Sequence, residues 1–147
     1  MKTTKVLQTN ISETNILEVS DILNTSTKNR VAICNANTLV RSVRNVGIRD
    51  SVNNFTIKAP DGFPVAKALS FLTKKKFSRV DGYKVFLQTI ENGLSSGTKH
   101  YFFGNNDEIT QLMINKLIKK FPDMKIAGYL CPEVMNANDL VENIKKN

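Results

Sequence analysis

The sequence predicts an α/β fold: a Rossmann-like, mostly parallel sheet with helices on both faces. Three observations lead there. Short β-rich runs alternate with amphipathic stretches of helical period, the order expected when crossover helices join parallel strands. The run Val-Ala-Ile-Cys at 31–34 is continuously apolar, as in a strand covered on both faces. A chain of 147 residues with 41% apolar and 23% charged residues has the profile of an ordinary globular domain with its own core. A single domain over 1–147 is therefore expected.

In chain order, Val6-Leu7 gives a weak first strand. A helix from Asn15 to Leu23 follows, with Ile16, Val19 and Leu23 on one face and Ser12 as its candidate cap. After the strand at 31–34, Thr38 to Val46 reads as a helix with Gly47 as its stop. Phe55-Thr56-Ile57 is the next strand, punctuated by Pro60-Asp61-Gly62. Pro64 then sits at a helix start, before a stripe of Val65, Ala68, Leu69 and Leu72. Asp81-Gly82 opens a helix whose face is Tyr83, Phe86, Leu87 and Ile90, and Gly93 ends it. His100 to Phe103 is the strongest strand signal. Asn105 and Glu108 have capping-box spacing for a helix buried through Ile109, Leu112, Met113, Leu117 and Phe121. Met124 to Leu130 forms a last strand and Asp139 to Lys145 a last short helix.

Ligands in such folds bind beyond the carboxyl ends of strands. That directs attention to the loops Asn35–Thr38, Pro60–Pro64 and Gly104–Asp107. Asn35 either caps a helix or hydrogen-bonds a sugar or base. Asp61 stands in a turn sequence, between a strand end and a helix start where the dipole favours its carboxylate. Gly104-Asn105-Asn106 resembles an anion-holding turn, although no GxGxxG or GxxxxGK[ST] motif is present. Arg79 is either a phosphate clamp or a surface cation.

The net charge of +8 favours anionic partners. Lys74, Lys75, Lys76, Arg79 and Lys84 surround one acid, Asp81, and Lys116, Lys119, Lys120 and Lys125 form a second group. Cys34 and Cys131 are too few and too distant for a disulfide framework, so reduced thiols are expected. The single His100 is expected at an edge or in the core. No apolar stretch approaches the roughly 20 residues of a membrane span, and Met1–Thr9 lacks an apolar signal core.

The ordered landmarks Val31-Ala32-Ile33-Cys34-Asn35, Ala59-Pro60-Asp61-Gly62, Arg79-Val80-Asp81-Gly82, Phe102-Phe103-Gly104-Asn105, Phe121-Pro122-Asp123 and Ile126-Ala127-Gly128-Tyr129 resemble the WecG/TagA/CpsF family of bacterial glycosyltransferases. The resemblance runs from about Val31 to the C-terminus. It implies an inverting transfer of an N-acetylmannosamine-type sugar from a UDP-sugar donor to a lipid-diphosphate-linked acceptor, in cell-surface polysaccharide or teichoic acid synthesis. It implies Asp61 as the general base. It places Asn35, Gly62, Arg79, Gly104 and Asn105 in substrate binding, with no cofactor and no metal. Asn105 replaces the second glycine of the family's Gly-Gly turn. Ile33 stands where a hydroxyl residue is common. The implied location is the inner face of the cytoplasmic membrane, with self-association left open and no nucleic acid partner. Family members continue beyond the helix matching Asp139–Lys146, so the chain reads as a C-terminally truncated member. An inactive truncated homologue or a nucleotide-sugar binding module is the alternative, and a basic nucleic-acid-binding domain a more distant one.

Overall fold

The computed structural model describes residues 1–25 and 27–132. The helix expected at Asp139–Lys145 lies outside the described residues. The fold is α/β. The chain forms two compact units, 1–92 and from Gly93 onward.

The first unit opens with a hairpin. β1 (Thr3–Val6) pairs antiparallel with β2 (Thr9–Ser12). α1 (Ile16–Leu23) follows, then β3 (Val31–Cys34), α2 (Ala36–Arg44), α3 (Val46–Asn53), β4 (Ile57–Pro60), α4 (Phe63–Thr73) and α5 (Gly82–Gly93). β3 and β4 pair in parallel, with Val31 opposite Ile57 and Cys34 opposite Pro60.

Alternation along β3 sends successive side chains to opposite faces. Ala32 and Cys34 join a core of Val6, Ile11, Leu39, Val65 and Leu69, which α2, α4 and the hairpin supply. Val31 and Ile33 face a second core of Val19, Ile57, Ala59, Val80 and Val85, supplied by α1, β4, α5 and the segment just ahead of α5. Helices therefore cover both faces of the pair.

Several expectations are corrected. Ser12 does not cap α1. It ends β2, where its Oγ accepts from the Lys58 N–H at 3.1 Å, and Asn15 caps α1 by accepting from the Glu18 N–H. The second hairpin strand was hidden because Thr9 and Ser12, both buried, are polar. Gly47 does not stop a helix but lies inside α3. Asn45 closes α2 through its N–H to the Arg41 carbonyl and opens α3 by accepting from the Ile48 N–H. That cap offsets the roughly 1 kcal/mol a helical glycine costs. β4 starts two residues late, because Lys58 interrupts the apolar pattern yet is buried. Its Nζ donates to the carbonyls of Phe55 (2.8 Å) and Asn53 (3.4 Å), which engage two of the ammonium's three hydrogens inside the fold. In α5 the core-facing residues are Val85 and Ile90, while Tyr83 is exposed. Leu72 of α4 is exposed as well.

In the second unit, β5 (Lys99–Phe103) pairs in parallel with β6 (Lys125–Leu130), joined by α6 (Asp107–Lys120). Phe102, Leu117, Phe121 and Met124 are buried. The expected apolar face of α6 is only partly realised: Leu117 and Phe121 are buried, whereas Ile109 and Leu112 are exposed.

Candidate functional site

β3 and β4 point the same way and end level, so the residues that follow them emerge side by side. Asn35 follows β3 and Asp61 follows β4. The Asp61 N–H donates to the Cys34 carbonyl at 3.0 Å, which ties the two loops together. A third segment joins them. The Val80 N–H donates to the Pro60 carbonyl at 2.7 Å, setting Arg79, Val80 and Asp81 along the end of β4. The start of α5 closes the arrangement, since a Cβ at Gly82 would lie 3.4 Å from the Ile33 side chain. Ile33 is thus part of the packing between β3 and α5.

Asp61 is half-buried. Its Oδ1 accepts from the Gly62 N–H at 2.7 Å, and no other described group bonds its second oxygen. Gly62 has φ of +76°, which residues with a Cβ rarely adopt. It caps α4 without a side chain, and the N–H of Phe63 is one of the donors left at that helix start. Asn35 is exposed. Its Oδ1 accepts from the Thr38 N–H at 3.0 Å and from the Thr38 hydroxyl at 3.2 Å. The carboxamide oxygen is therefore a helix cap, and its Nδ2 group is the part left for a ligand.

Arg79 donates through Nη2 to Asp81 Oδ2. Asp81 in turn caps α5, its Oδ1 accepting from the N–H groups of Tyr83 and Lys84. Asp81, which the sequence marks as the opening of α5, thus ties Arg79 to the start of that helix. Arg79 also borders a groove of about 450 Å³ between α4 and residues 76–79, lined by Phe63, Ala66, Lys67, Ser70 and Phe77 among others. Asn35 and Asp61 are not among its lining residues.

The Gly104 turn belongs to the second unit. The Gly104 N–H donates to the Leu130 carbonyl, and Gly104 and Asn105 both have positive φ, +112° and +64°. The capping pair expected of Asn105 and Glu108 is displaced by one residue. Asn106 caps α6, its Oδ1 accepting from the Ile109 N–H at 2.9 Å, while Asn105 Oδ1 accepts from the Asn106 N–H. Asparagine tolerates the left-handed conformation, so Asn105 serves the turn and its successor serves the helix.

Cys34 is buried and free, and Cys131 is half-buried and free. Burial pushes the Cys34 thiol up to about 11, against a smaller opposing pull from the Lys58 charge. His100 sits in β5 with its pKa lowered by burial. Among the described residues no three His, Cys, Asp or Glu side chains converge as metal ligands would. No helix among them is long and apolar enough to cross a membrane.

The profile of the family described as "Glycosyl transferase WecG/TagA/CpsF family" matches residues 4–147. The match takes in the hairpin and α1, which lie ahead of the landmarks that carry the resemblance in sequence. A curated relative is the N-acetylglucosaminyldiphosphoundecaprenol N-acetyl-beta-D-mannosaminyltransferase of Bacillus subtilis (strain 168). It is 27% identical over 79 residues, covering 54% of this chain and 30% of that enzyme.

Proposed function

The chain belongs to the WecG/TagA/CpsF family of glycosyl transferases, and from that premise we propose that it acts in the transfer of an N-acetylmannosamine-type sugar. The donor is a UDP-sugar, and the acceptor is a sugar hydroxyl on a lipid-linked diphosphate. The product feeds cell-surface polysaccharide or teichoic acid synthesis. The name of the curated relative supports the sugar and the class of acceptor.

One observation carries the assignment to residues: parallel pairing sets Asn35 and Asp61 on adjacent loops at one sheet end, with Arg79 alongside. Asp61 is the general base. Its unengaged carboxylate oxygen takes the proton as the acceptor oxygen attacks the anomeric carbon. The new carbon–oxygen bond forms as the bond to the UDP oxygen breaks, so the configuration inverts. The Phe63 N–H at the α4 start and the Asn35 Nδ2 group are donors for substrate oxygens. Gly62 keeps the approach to Asp61 free of a side chain. Arg79 exchanges Asp81 for the leaving diphosphate, whose developing charge it then balances. The family resemblance also assigns Gly104 and Asn105, in the second unit, to substrate binding. A lipid-borne acceptor locates the reaction at the inner face of the cytoplasmic membrane.

The test is transfer from UDP-N-acetylmannosamine to a lipid-diphosphate acceptor, with donor binding followed by calorimetry. Asp61→Asn should lower turnover by ~10²–10⁴-fold, the range for losing a general base. Donor affinity should hardly change. Equal loss of affinity and turnover would make Asp61 a turn residue and remove the base from the scheme.

A further inference from the structure

We propose that the outer face of α4 is a docking surface for an anionic lipid bilayer. This deepens the preceding reading, which needs a membrane-borne acceptor, but it stands on other residues. Val65, Ala66 and Leu69 fix the inner face of α4 in the core. Phe63, Lys67 and Phe71 recur every four residues on the opposite side, where they share one face. Both rings are free of the core, Phe63 at 71% and Phe71 at 72% exposure, and Pro64 adds exposed aliphatic surface.

The charge on this surface has one sign. From Phe63 to Val80 there are five basic residues and no acid. Lys75 is engaged by Glu13 and Arg79 by Asp81, whereas Lys67, Lys74 and Lys76 are exposed. Lys67 Nζ lies 5.4 Å from the Phe63 ring centre, and Lys74 Nζ lies 4.7 Å from that of Phe71. Aromatic rings beside lysines on one helix face are the chemistry of a helix lying in a headgroup layer. The rings enter the acyl boundary and the ammonium groups meet lipid phosphates.

Single-stranded nucleic acid also needs rings and cations. Here each ring already carries its own lysine, which competes with a base for the ring face. Pro64 beside them offers no aromatic face to stack on. Phe63 stands two residues after Asp61, so docking through α4 brings the Asp61 loop to the bilayer surface.

The experiment is cosedimentation of the chain with vesicles of phosphatidylglycerol and phosphatidylcholine, and with phosphatidylcholine alone. Binding should require the anionic lipid and weaken as salt rises. The double variant Phe71→Ser/Lys74→Ser, both exposed positions, should bind at least ~10-fold more weakly, since one lysine alone is worth roughly fivefold near such a surface. Its circular dichroism and melting temperature should match the parent's. With a short-chain, water-soluble acceptor its turnover should equal the parent's, so loss of docking is separable from failure of the transfer scheme. The proposal is overturned if the parent ignores anionic vesicles or if the folded double variant binds them equally well. It is also overturned if an oligonucleotide displaces the vesicles while binding depends on the same two residues.

Discussion

β4 is buried along its whole length, whereas β6 alternates exposed and half-buried residues from Lys125 to Leu130. The two parallel pairs share a plan, strand then helix then strand, but differ in what holds the loops at their ends. Behind Asn35 and Asp61 stand two packed cores, one on each face of β3–β4. The loop positions there follow from side chains buried beside them, Cys34 and Ala59 among them, together with the backbone bonds at the strand ends. Behind Gly104 the loop is held by local hydrogen bonds and backbone conformation: two consecutive positive φ values, the Asn106 side-chain cap, the Thr110 hydroxyl on the Gly104 carbonyl, and the Gly104 N–H on the Leu130 carbonyl. The general base proposed at Asp61 would gain from the first kind of support, because its geometry is set before a substrate arrives.

The sharpest way to break this contrast is to cut each core once. Leu69→Ala empties a fully buried position of α4 in the core it shares with Val6, Ile11 and Leu39, and should destabilise the chain by about 2–5 kcal/mol in denaturant titrations. Leu117→Ala in α6 should fall at the low end of that range, since Leu117 keeps 6% exposure where Leu69 has none. Amide exchange should accelerate across β3 and β4 for the first variant and across β5 and β6 for the second. Acceleration of both pairs by either variant would mean that the units unfold as one.

Thiol chemistry reads the same contrast at single atoms. Raising the Cys34 thiol from 9.0 to about 11 leaves ~100-fold less thiolate at neutral pH, in addition to its burial. Cys131 is half-buried, with its Sγ 3.2 Å from Thr110 Oγ1. Iodoacetamide at pH 8 should therefore label Cys131 first, as peptide masses will report. The linkage also has a sign. Cys34 has a folded pKa above its unfolded value, so its contribution is fully present below about pH 9 and is lost as pH rises towards 11. Cys34→Ala should remove that alkaline loss of stability; persistence of the loss would assign it to other groups.

The parts of the fold legible in sequence were those written in apolar period. β3, α1, α4, α5, β5 and α6 all follow runs of that kind. What was not legible depended on polar atoms satisfied by distant partners. Lys58 inside β4 needs the Phe55 and Asn53 carbonyls, and Ser12 needs the Lys58 amide. No local pattern announces such pairs. Asn45 serving two helices escaped for a related reason: its neighbour Gly47 is a stop signal that the cap overrides. Of the candidate site, the adjacency of Asn35 and Asp61 followed from strand order alone. The Arg79–Asp81 pair did not, because an arginine beside a capping aspartate looks the same in sequence as one free to meet a phosphate.

The smallest effect tests which asparagine holds the α6 start. With Asn106 as cap, Asn106→Ala should cost about 1 kcal/mol, measured by thermal or denaturant unfolding. Glu108→Ala should cost no more than a few tenths, because Glu108 then sits one position too early to reach back to the cap. Asn105→Gly should be close to neutral, since glycine adopts φ of +64° without strain. If Asn105 were the cap instead, Asn106 would occupy the first helical position. Its replacement by alanine would then be neutral, and Glu108→Ala would carry the larger cost. The same three variants bear on the proposed role of the turn. Asn105 Oδ1 is already bonded to the Asn106 N–H, which leaves the Nδ2 group and the backbone to face a substrate. UDP-sugar affinity preserved in Asn105→Gly would assign that contact to the backbone. Loss of affinity in a variant of unchanged stability would assign it to the carboxamide, and the substitution of asparagine for the family's second glycine would then be a change in the binding surface itself.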